Sequence, residues 1–196
     1  MNRCRIIGLT GQSGAGKSTV LSCFESRGVC VFNSDLAVKR IYESGSVCLK
    51  AVAAEFGEDI INPDKSLNRA LLAQRAFASR ENTERLNSIV HPFVTTEFLK
   101  LLKEQKPSVL ICDAPQLFES GIYVLCDYII SIVADESIRL ERICARDGIS
   151  REQAMLRINA QLSESFFREN SDFVIENNSD EKSLLDRAKE IFDKLI

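Results

Sequence analysis

Histidine is almost absent from this sequence, since a single residue, His91, occurs among 196 positions. Cysteine is more frequent, but its seven residues are an odd number and no C-x-x-C pair occurs. Structural zinc sites use closely spaced cysteine and histidine ligands, so this composition argues against zinc. The apolar neighbours of Cys112, Cys126 and Cys144 instead indicate thiols that behave as small buried hydrophobic groups.

Long apolar runs are also missing. No stretch is long enough to span a bilayer, and the charged start of the chain leads into a predicted strand without a secretory signal. The formal net charge of -3 argues against general electrostatic binding to nucleic acid. We therefore expect a cytoplasmic protein with small-molecule partners and no nucleic-acid or membrane partner, as a monomer or small homo-oligomer.

The composition is that of an ordinary globular protein, with 45% hydrophobic and 27% charged residues. Short runs rich in β-branched residues alternate with helical patterns, which is typical of a parallel sheet covered by helices on both faces. The predicted strands are Ile6–Thr10, Val29–Asn33, Val109–Cys112, Tyr128–Ala134 and Phe173–Glu176. The sequence thus predicts an α/β fold with a five-stranded parallel sheet.

A glycine-rich segment follows the first predicted strand, where residues 5–19 read RIIGLTGQSGAGKST. Gly11, Gly16, Lys17 and Ser18 fit the spacing G-x-x-x-x-G-K-S/T. Such glycines let several backbone N–H groups surround one anion, while the lysine reaches the β- and γ-phosphates and the serine hydroxyl binds Mg²⁺. The alternative is a glycine-rich turn with an incidental lysine, and the agreement of strand, motif and following helix argues against it.

The connection between residues 34 and 107 is far longer than one crossover helix requires. It contains helix-like segments, including Arg69–Phe77 and a longer one near Glu84–Lys103. We expect a single phosphate-loop domain of three parts: core residues 1–33, 108–134 and 162–196, a helical acceptor-binding insert at 34–107, and an arginine-bearing lid at 135–161. An amphipathic pattern near the C-terminus predicts a helix that packs on the sheet.

Two aspartates follow predicted strands. Ligands bind at the carboxyl edge of an open parallel sheet, so Asp35 and Asp113 should lie around one crevice with the glycine-rich loop. Asp35 is a candidate to accept the proton of an acceptor hydroxyl in phosphoryl transfer, and the alternative is that Ser34 or Asp35 caps a helix. Asp113 either holds magnesium through water or is a turn aspartate before Pro115.

Arg139, Arg142 and Arg146 are spaced three and four residues apart, so they share one face of a predicted helix. A transferring phosphoryl group needs positive charge above the loop, and arginine suits this role through its forked donors, with Arg142 as the leading candidate. The alternative is a solvated face paired with neighbouring carboxylates. His91, followed by Pro92 in the insert, either contacts substrate or is structural.

Seven motifs together carry a resemblance to a known family. They are GLTGQSGAGKST at 8–19, NSD at 33–35, LNRALL at 67–72, LNSIVHP at 86–92, DAPQLFESG at 113–121, RLERICARDGISREQAMLRINAQ at 139–161 and SDFVIENN at 171–178. In this order they resemble dephospho-CoA kinase, the phosphate-loop family that uses ATP to phosphorylate the 3′-hydroxyl of dephospho-coenzyme A. The resemblance covers nearly the whole chain. The first motif alone indicates a phosphate-loop protein, whereas the ordered set is highly specific.

The resemblance implies roles for individual residues. The family's catalytic aspartate falls on Asp35, and the lid arginines fall on Arg142 and Arg146. The family's ATP loop falls on Gly14, Ala15, Gly16, Lys17, Ser18 and Thr19. The motif spacing adds Gly11 to the phosphate-binding residues and places Ser18 on Mg²⁺. The adenine-side residue falls near Asn177. Arg69, His91 and Glu119 fall in motifs around the acceptor pocket.

Four positions depart from the family pattern. Asn33 replaces an aspartate, Lys39 stands where an arginine is usual, Gln116 replaces a leucine and Asn178 replaces a glycine. The Asn33 change removes one charged partner for magnesium or water, and lysine lacks the bidentate grip of arginine. These departures affect the finer handling of the acceptor and leave the phosphate loop and the proposed base intact.

We therefore expect an enzyme in which Lys17, Asp35 and Arg142 are catalytic, and which uses ATP and Mg²⁺ to convert dephospho-CoA to CoA. The alternative enzyme is a phosphate-loop kinase for a nucleoside or nucleoside monophosphate, whose acceptor phosphate would bind insert arginines: Arg69, Arg75, Arg80 and Arg85. A guanine-specific switch would carry an N-K-x-D segment, which is absent. An ATP-binding regulator would bind nucleotide without turnover.

Overall fold

The computed structural model of this chain describes residues 3–196. Its strands are β1 Arg5–Gly11, β2 Cys30–Asn33, β3 Val109–Asp113, β4 Tyr128–Val133 and β5 Phe173–Glu176. Its α-helices are α1 Lys17–Glu25, α2 Ser34–Ile41, α3 Val47–Phe56, α4 Arg69–Ala76, α5 Arg80–Gln105, α6 Glu136–Asp147, α7 Arg151–Asn159, α8 Glu164–Glu169 and α9 Glu181–Leu195. The described chain divides into two compact units, one of residues 3–32 and 107–196 and one of Asn33–Lys106.

The first unit is built on the five-stranded sheet, in the order β2-β3-β1-β4-β5. β1 lies between β3 and β4 and is parallel to both, and β4 is parallel to β5. The predicted strands are confirmed, and their ends differ from the prediction by one residue at most. The carboxyl end of β1 is therefore flanked by the carboxyl ends of β3 and β4, which is where an α/β sheet positions ligand-binding loops.

Helices α1 and α9 pack on one face of the sheet. Alternate residues of β1 and β4 face this core, including Ile7, Leu9, Ile130 and Ile132, because successive strand residues point to opposite faces. Phe24 of α1 stacks on Phe192 of α9 with ring centroids 4.7 Å apart. The apolar side of α9 is buried, so the predicted amphipathic C-terminal helix is confirmed.

The second unit, Asn33–Lys106, is helical. The long α5 packs against α2, α3 and α4 through buried Leu86, Val90, Val94 and Phe98. It begins earlier than the sequence predicts, because the Ser79 hydroxyl accepts the N–H of Asn82 at 3.1 Å and caps the helix. The predicted helix at Arg69–Phe77 is confirmed as α4.

The seven cysteines are free thiols, and Cys112 and Cys48 are buried. Residues 3–196 contain no group of three or more His, Cys, Asp or Glu side chains arranged to hold a metal ion. Within the same range, no helix combines the length and hydropathy needed to cross a membrane.

Candidate functional site

The glycine-rich loop connects β1 to α1 in the first unit. Gly14 and Gly16 have positive φ values of 79° and 102°, a region that residues with a Cβ rarely adopt. A Cβ on Gly16 would overlap the Asn177 side chain, and one on Gly14 would lie 2.8 Å from the carbonyl oxygen of Arg139. Glycine is therefore required at these positions both by backbone conformation and by the close approach of neighbouring residues.

The start of α1 presents backbone donors. The N–H groups of Gly14, Gly16, Lys17 and Ser18 donate to no acceptor anywhere in the described chain, residues 3–196. The first N–H groups of a helix have no partner within it, and they carry the positive end of the helix dipole. Four free donors beside a lysine form a site suited to a phosphate group.

Lys17 forms an ion pair with Asp113, the last residue of β3. The Lys17 and Asp113 side chains are only 16% and 5% exposed, so water screens this attraction weakly. Neither sequence-based alternative for Asp113 included this partner. The β1–β3 register explains the contact, because Leu9 pairs with Asp113 and so brings the end of β3 beside the loop.

Helix α6 packs on the loop and brings arginines to it. Arg142 donates from Nη1 to the carbonyl oxygens of Asn177, at 3.2 Å, and of Gly14, at 3.4 Å. Arg139 is buried and donates from Nε to the carbonyl of Ala134 at 3.0 Å, and desolvation lowers the pKa of its guanidinium. The solvated-face alternative is therefore wrong for Arg139 and Arg142, because this face of α6 contacts the loop rather than water.

Arg146 differs from the other two arginines of α6. Its side chain is exposed and donates from Nε to Asp147 at 2.7 Å, an ion pair that raises the pKa of Arg146. Asp147 also accepts from Arg157 of α7 at 2.5 Å. These pairs connect α6 to α7, and the predicted contact of Arg146 with nucleotide stays a prediction.

Two asparagines follow β5. Asn177 is buried and donates from Nδ2 to the carbonyl of Ala15 at 2.8 Å. It therefore holds the loop backbone between Gly14 and Gly16. Asn178, which departs from the family pattern, exchanges two hydrogen bonds of 2.8 Å with Asp135. The adenine-side role of Asn177 stays a prediction, whereas its contact with the loop was missed from the sequence.

Two further buried polar atoms belong to residues near the loop. The Oε1 atom of Gln12 and the Nη1 atom of Arg139 have no hydrogen-bond partner among residues 3–196. Buried polar groups are nearly always paired with protein or water, so both atoms have unused hydrogen-bonding capacity. No sequence pattern singled out Gln12.

In the second unit, Asp35 lies in the first turn of α2 and is exposed. No hydrogen bond to its carboxylate is found within residues 3–196. The cap of α2 is Asn33, whose Oδ1 accepts the N–H of Leu36 at 2.9 Å. The expectation that Ser34 or Asp35 caps the helix is therefore wrong, because the helix begins one residue earlier and asparagine is an equally good cap.

Two other candidates belong to the second unit. The guanidinium of Arg69 lies over the ring of Tyr42, 5.9 Å from its centroid, and burial raises the pKa of the Tyr42 hydroxyl. His91 is half-buried in α5, and desolvation lowers the pKa of its imidazole. Glu119 belongs to the first unit and is exposed, and partial desolvation raises the pKa of its carboxyl.

The insert arginines proposed for a monophosphate acceptor are largely committed to ion pairs. Arg75 binds Asp59 through two bonds of 2.6 Å, and Arg80 binds Glu84 at 2.8 Å. Arg85 contacts glutamates 55 and 81, at 3.0 and 2.7 Å. Three of the four arginines therefore have carboxylate partners within their own unit.

Comparison with known proteins identifies the family. The family model described as dephospho-CoA kinase matches residues 5–183. A dephospho-CoA kinase of Fusobacterium nucleatum is 40% identical over 94% of this chain and 95% of its own, and that of Corynebacterium diphtheriae is 36% identical over 97% and 96%. The crystal structure of TT1252 from Thermus thermophilus, 29% identical, covers 99% of both chains with a TM-score of 0.84. This chain therefore belongs to the dephospho-CoA kinase family and is a phosphate-loop kinase.

Proposed function

We propose that this kinase transfers the terminal phosphoryl group of ATP to the 3′-hydroxyl of the ribose of dephospho-CoA, giving CoA and ADP, the last step of CoA biosynthesis. The observation that carries the proposal is the set of four free backbone donors beside Lys17, in a chain that the dephospho-CoA kinase family model matches over residues 5–183. Phosphoryl transfer depends mainly on positioned phosphates and compensated charge, which such donors supply.

On the donor side, the N–H groups at the start of α1 bind the β- and γ-phosphates of ATP. Lys17 exchanges its contact with Asp113 for the phosphate oxygens, because both are anionic partners within its reach. Arg142, already hydrogen-bonded to the loop carbonyl of Gly14, provides charge that offsets the negative charge of the transferring group. Arg146 joins it when phosphate replaces Asp147 as its partner.

The donor set beside the loop fits Mg²⁺. Ser18 carries an exposed hydroxyl at the start of α1, and Asp113 carries a carboxylate at the end of β3. Both are oxygen ligands, and in kinases this ion is held by one or two such groups together with substrate phosphates and water. Ser18 and Asp113 would hold a bound Mg²⁺, and the chemistry it would supply is positive charge beside the β- and γ-phosphates.

On the acceptor side, Asp35 takes the proton of the 3′-hydroxyl. Its carboxylate is not needed as a helix cap, because Asn33 has that role, and its exposure leaves it accessible to a substrate. Arg69, His91 and Glu119 bind the acceptor or form the wall of its pocket. These assignments follow the family motifs in which the residues stand.

A turnover assay on the purified protein tests the proposal. With ATP and Mg²⁺, we expect phosphorylation of dephospho-CoA and little turnover of a panel of nucleosides and nucleoside monophosphates. The family match over residues 5–183 supports this expectation over a monophosphate acceptor. Faster turnover of a monophosphate would contradict it, and ATP binding without turnover of any acceptor would favour a regulator.

The proposal also includes a cytoplasmic location, small-molecule partners and a monomeric or small homo-oligomeric state. Cell fractionation tests the location, and size-exclusion chromatography with light scattering tests the oligomeric state. A membrane-bound or nucleic-acid-bound fraction would contradict this part of the proposal without affecting the reaction.

A further inference from the structure

Gln161 contacts the phosphate loop, although neither the fold nor the motifs assign it a role. Its side-chain Oε1 accepts the backbone N–H of Ser13 at 3.0 Å, across 148 positions of sequence. Gln161 lies just beyond α7 and is half-buried, and its own N–H donates to the carbonyl of Ile158 at 3.2 Å. The contact therefore comes from a residue whose backbone is itself held in place.

The bond to Ser13 completes a pattern along the loop. The N–H of Gln12 donates to Ile132 and that of Ala15 donates to Gln12, each at 3.1 Å. The loop carbonyls are held as well, by Arg142 at Gly14 and by Asn177 at Ala15. The N–H of Ser13 is thus the loop donor whose partner is a side chain, and the free donors are the four already described, which begin at Gly14 and skip Ala15.

We propose that Gln161 is a positioning residue for ATP. By accepting the Ser13 N–H, it fixes the first half of the loop, so that the donors of Gly14, Gly16 and Lys17 keep the arrangement that binds phosphate. Pre-organisation lowers the entropy cost of ordering a loop around its ligand, and it therefore increases the affinity for that ligand. The inference rests on the proposed function only in taking a nucleoside triphosphate as the ligand of the loop.

The position of Gln161 also gives the segment 135–161 a second attachment to the loop. Near its start, α6 contacts Gly14 through the backbone of Arg139 and through the Arg142 side chain. At its end, Gln161 binds Ser13. Two consecutive loop residues are therefore held from opposite ends of one segment, so a change at residue 161 is expected to reach the loop.

Gln161→Met tests the inference, because methionine keeps the length of the side chain and removes its hydrogen-bond acceptor. The matched control is Gln153→Met. The Oε1 of Gln153 also accepts a backbone N–H, that of Ser150 at 3.1 Å, in the same segment but as part of a helix capping box without a contact to the loop. Both variants lose one bond of the same kind.

The readouts are the Kd of MgATP by calorimetry without acceptor, the KM of each substrate, and hydrogen exchange of the loop amides. For Gln161→Met we expect about a fivefold weaker ATP Kd, the usual effect of one neutral hydrogen bond, with faster exchange at Ser13 and an unchanged KM for dephospho-CoA. For Gln153→Met we expect an unchanged ATP Kd and a lower melting temperature.

Equal ATP affinity in wild type and Gln161→Met would overturn the inference, as would equal losses in both variants, which would indicate a merely structural role. Failure of the proposed reaction has a different signature. Wild type that binds MgATP tightly but does not phosphorylate dephospho-CoA would reject the reaction, while the calorimetric comparison would still decide the role of Gln161.

Discussion

The charged site residues of the two units differ in their hydrogen-bond partners and in their exposure to water. In the first unit, Lys17 and Asp113 are paired and largely removed from water, and Arg142 is bonded to the loop. In the second unit, Asp35 is exposed, and no hydrogen bond reaches its carboxylate in the described chain. The difference indicates that the proposed donor-binding residues are held in position by protein contacts, whereas the proposed base is left accessible to an incoming acceptor.

This contrast has a physical basis. A triphosphate carries concentrated charge, and donors that are fixed in advance bind it without a large ordering cost. A base must approach one hydroxyl of a bound acceptor, so a carboxylate committed to a helix cap would be less available. Asn33 supplies the cap of α2, so the cap does not engage the Asp35 carboxylate.

The largest effect is expected for Asp35, the exposed carboxylate of the second unit. Asp35→Asn should lower kcat by ~10²- to 10⁴-fold, the usual contribution of a general base, while the Kd of MgATP and the melting temperature stay unchanged. Steady-state kinetics and calorimetry measure this. Asp186→Asn, at an exposed position of α9, is the matched control. Unchanged turnover in Asp35→Asn would reject the base assignment.

The second-largest effect is expected in the glycine-rich loop of the first unit. Gly16→Ala should lower the free energy of unfolding by at least ~2 kcal/mol and prevent MgATP binding, because a Cβ there is strained and overlaps Asn177. Gly148→Ala is the control, since its φ is also positive, at 64°, but no atom lies within 4 Å of the added Cβ. Chemical denaturation and calorimetry compare the two. Equal losses would show that backbone strain alone accounts for the effect.

A smaller effect is expected where this chain departs from its family. Asn178→Ala removes both hydrogen bonds, whereas Asp135→Ala removes only the bond that its carboxylate accepts, because its backbone N–H remains. A double-mutant cycle should therefore give a coupling energy of about 1 kcal/mol for the side-chain bond. Thermal and denaturant unfolding of the four proteins measure it. Additive effects of the two substitutions would mean that the pair contributes nothing to the position of α6.

The smallest effect is a pH dependence in the second unit. Desolvation lowers the pKa of His91 below its unfolded value of about 6.5, so the unfolded chain binds more protons just below that pH. The contribution of neutral His91 to stability should be complete above about pH 6.5 and decline as the pH falls through this window. His91→Gln should flatten that part of the stability profile. An unchanged profile would contradict the role of His91, the single histidine of the chain.

Much of the first unit could be predicted from local sequence. The buried strands appear as short β-branched runs, and the spacing of Gly11, Gly16 and Lys17 indicates the loop without further information. Helix boundaries were less accurate, since α2 is capped by Asn33 rather than by Ser34 or Asp35. Several neighbouring residues were suitable caps, and packing of the helix selected one of them.

Other parts of the site had no local signal. The bonds from Gln161 to Ser13 and from Asn177 to Ala15 join residues 148 and 162 positions apart. The ion pair of Lys17 with Asp113 depends on the order of the strands, which places β3 beside β1. Asparagine and glutamine are common on surfaces, so their side chains indicate a partner only after the fold has brought that partner close.

The sequence by itself determined the strand and helix pattern, the phosphate-binding motif and the family, because each depends on residue types at short fixed spacings. The tertiary structure alone decided which groups hold the loop and which donors remain free, since these contacts form between segments that only sheet pairing and helix packing bring together. Arg139 and Arg142 show the distinction. Their spacing placed them on one helical face, and the packing of α6 on Gly14 decided that this face contacts the loop.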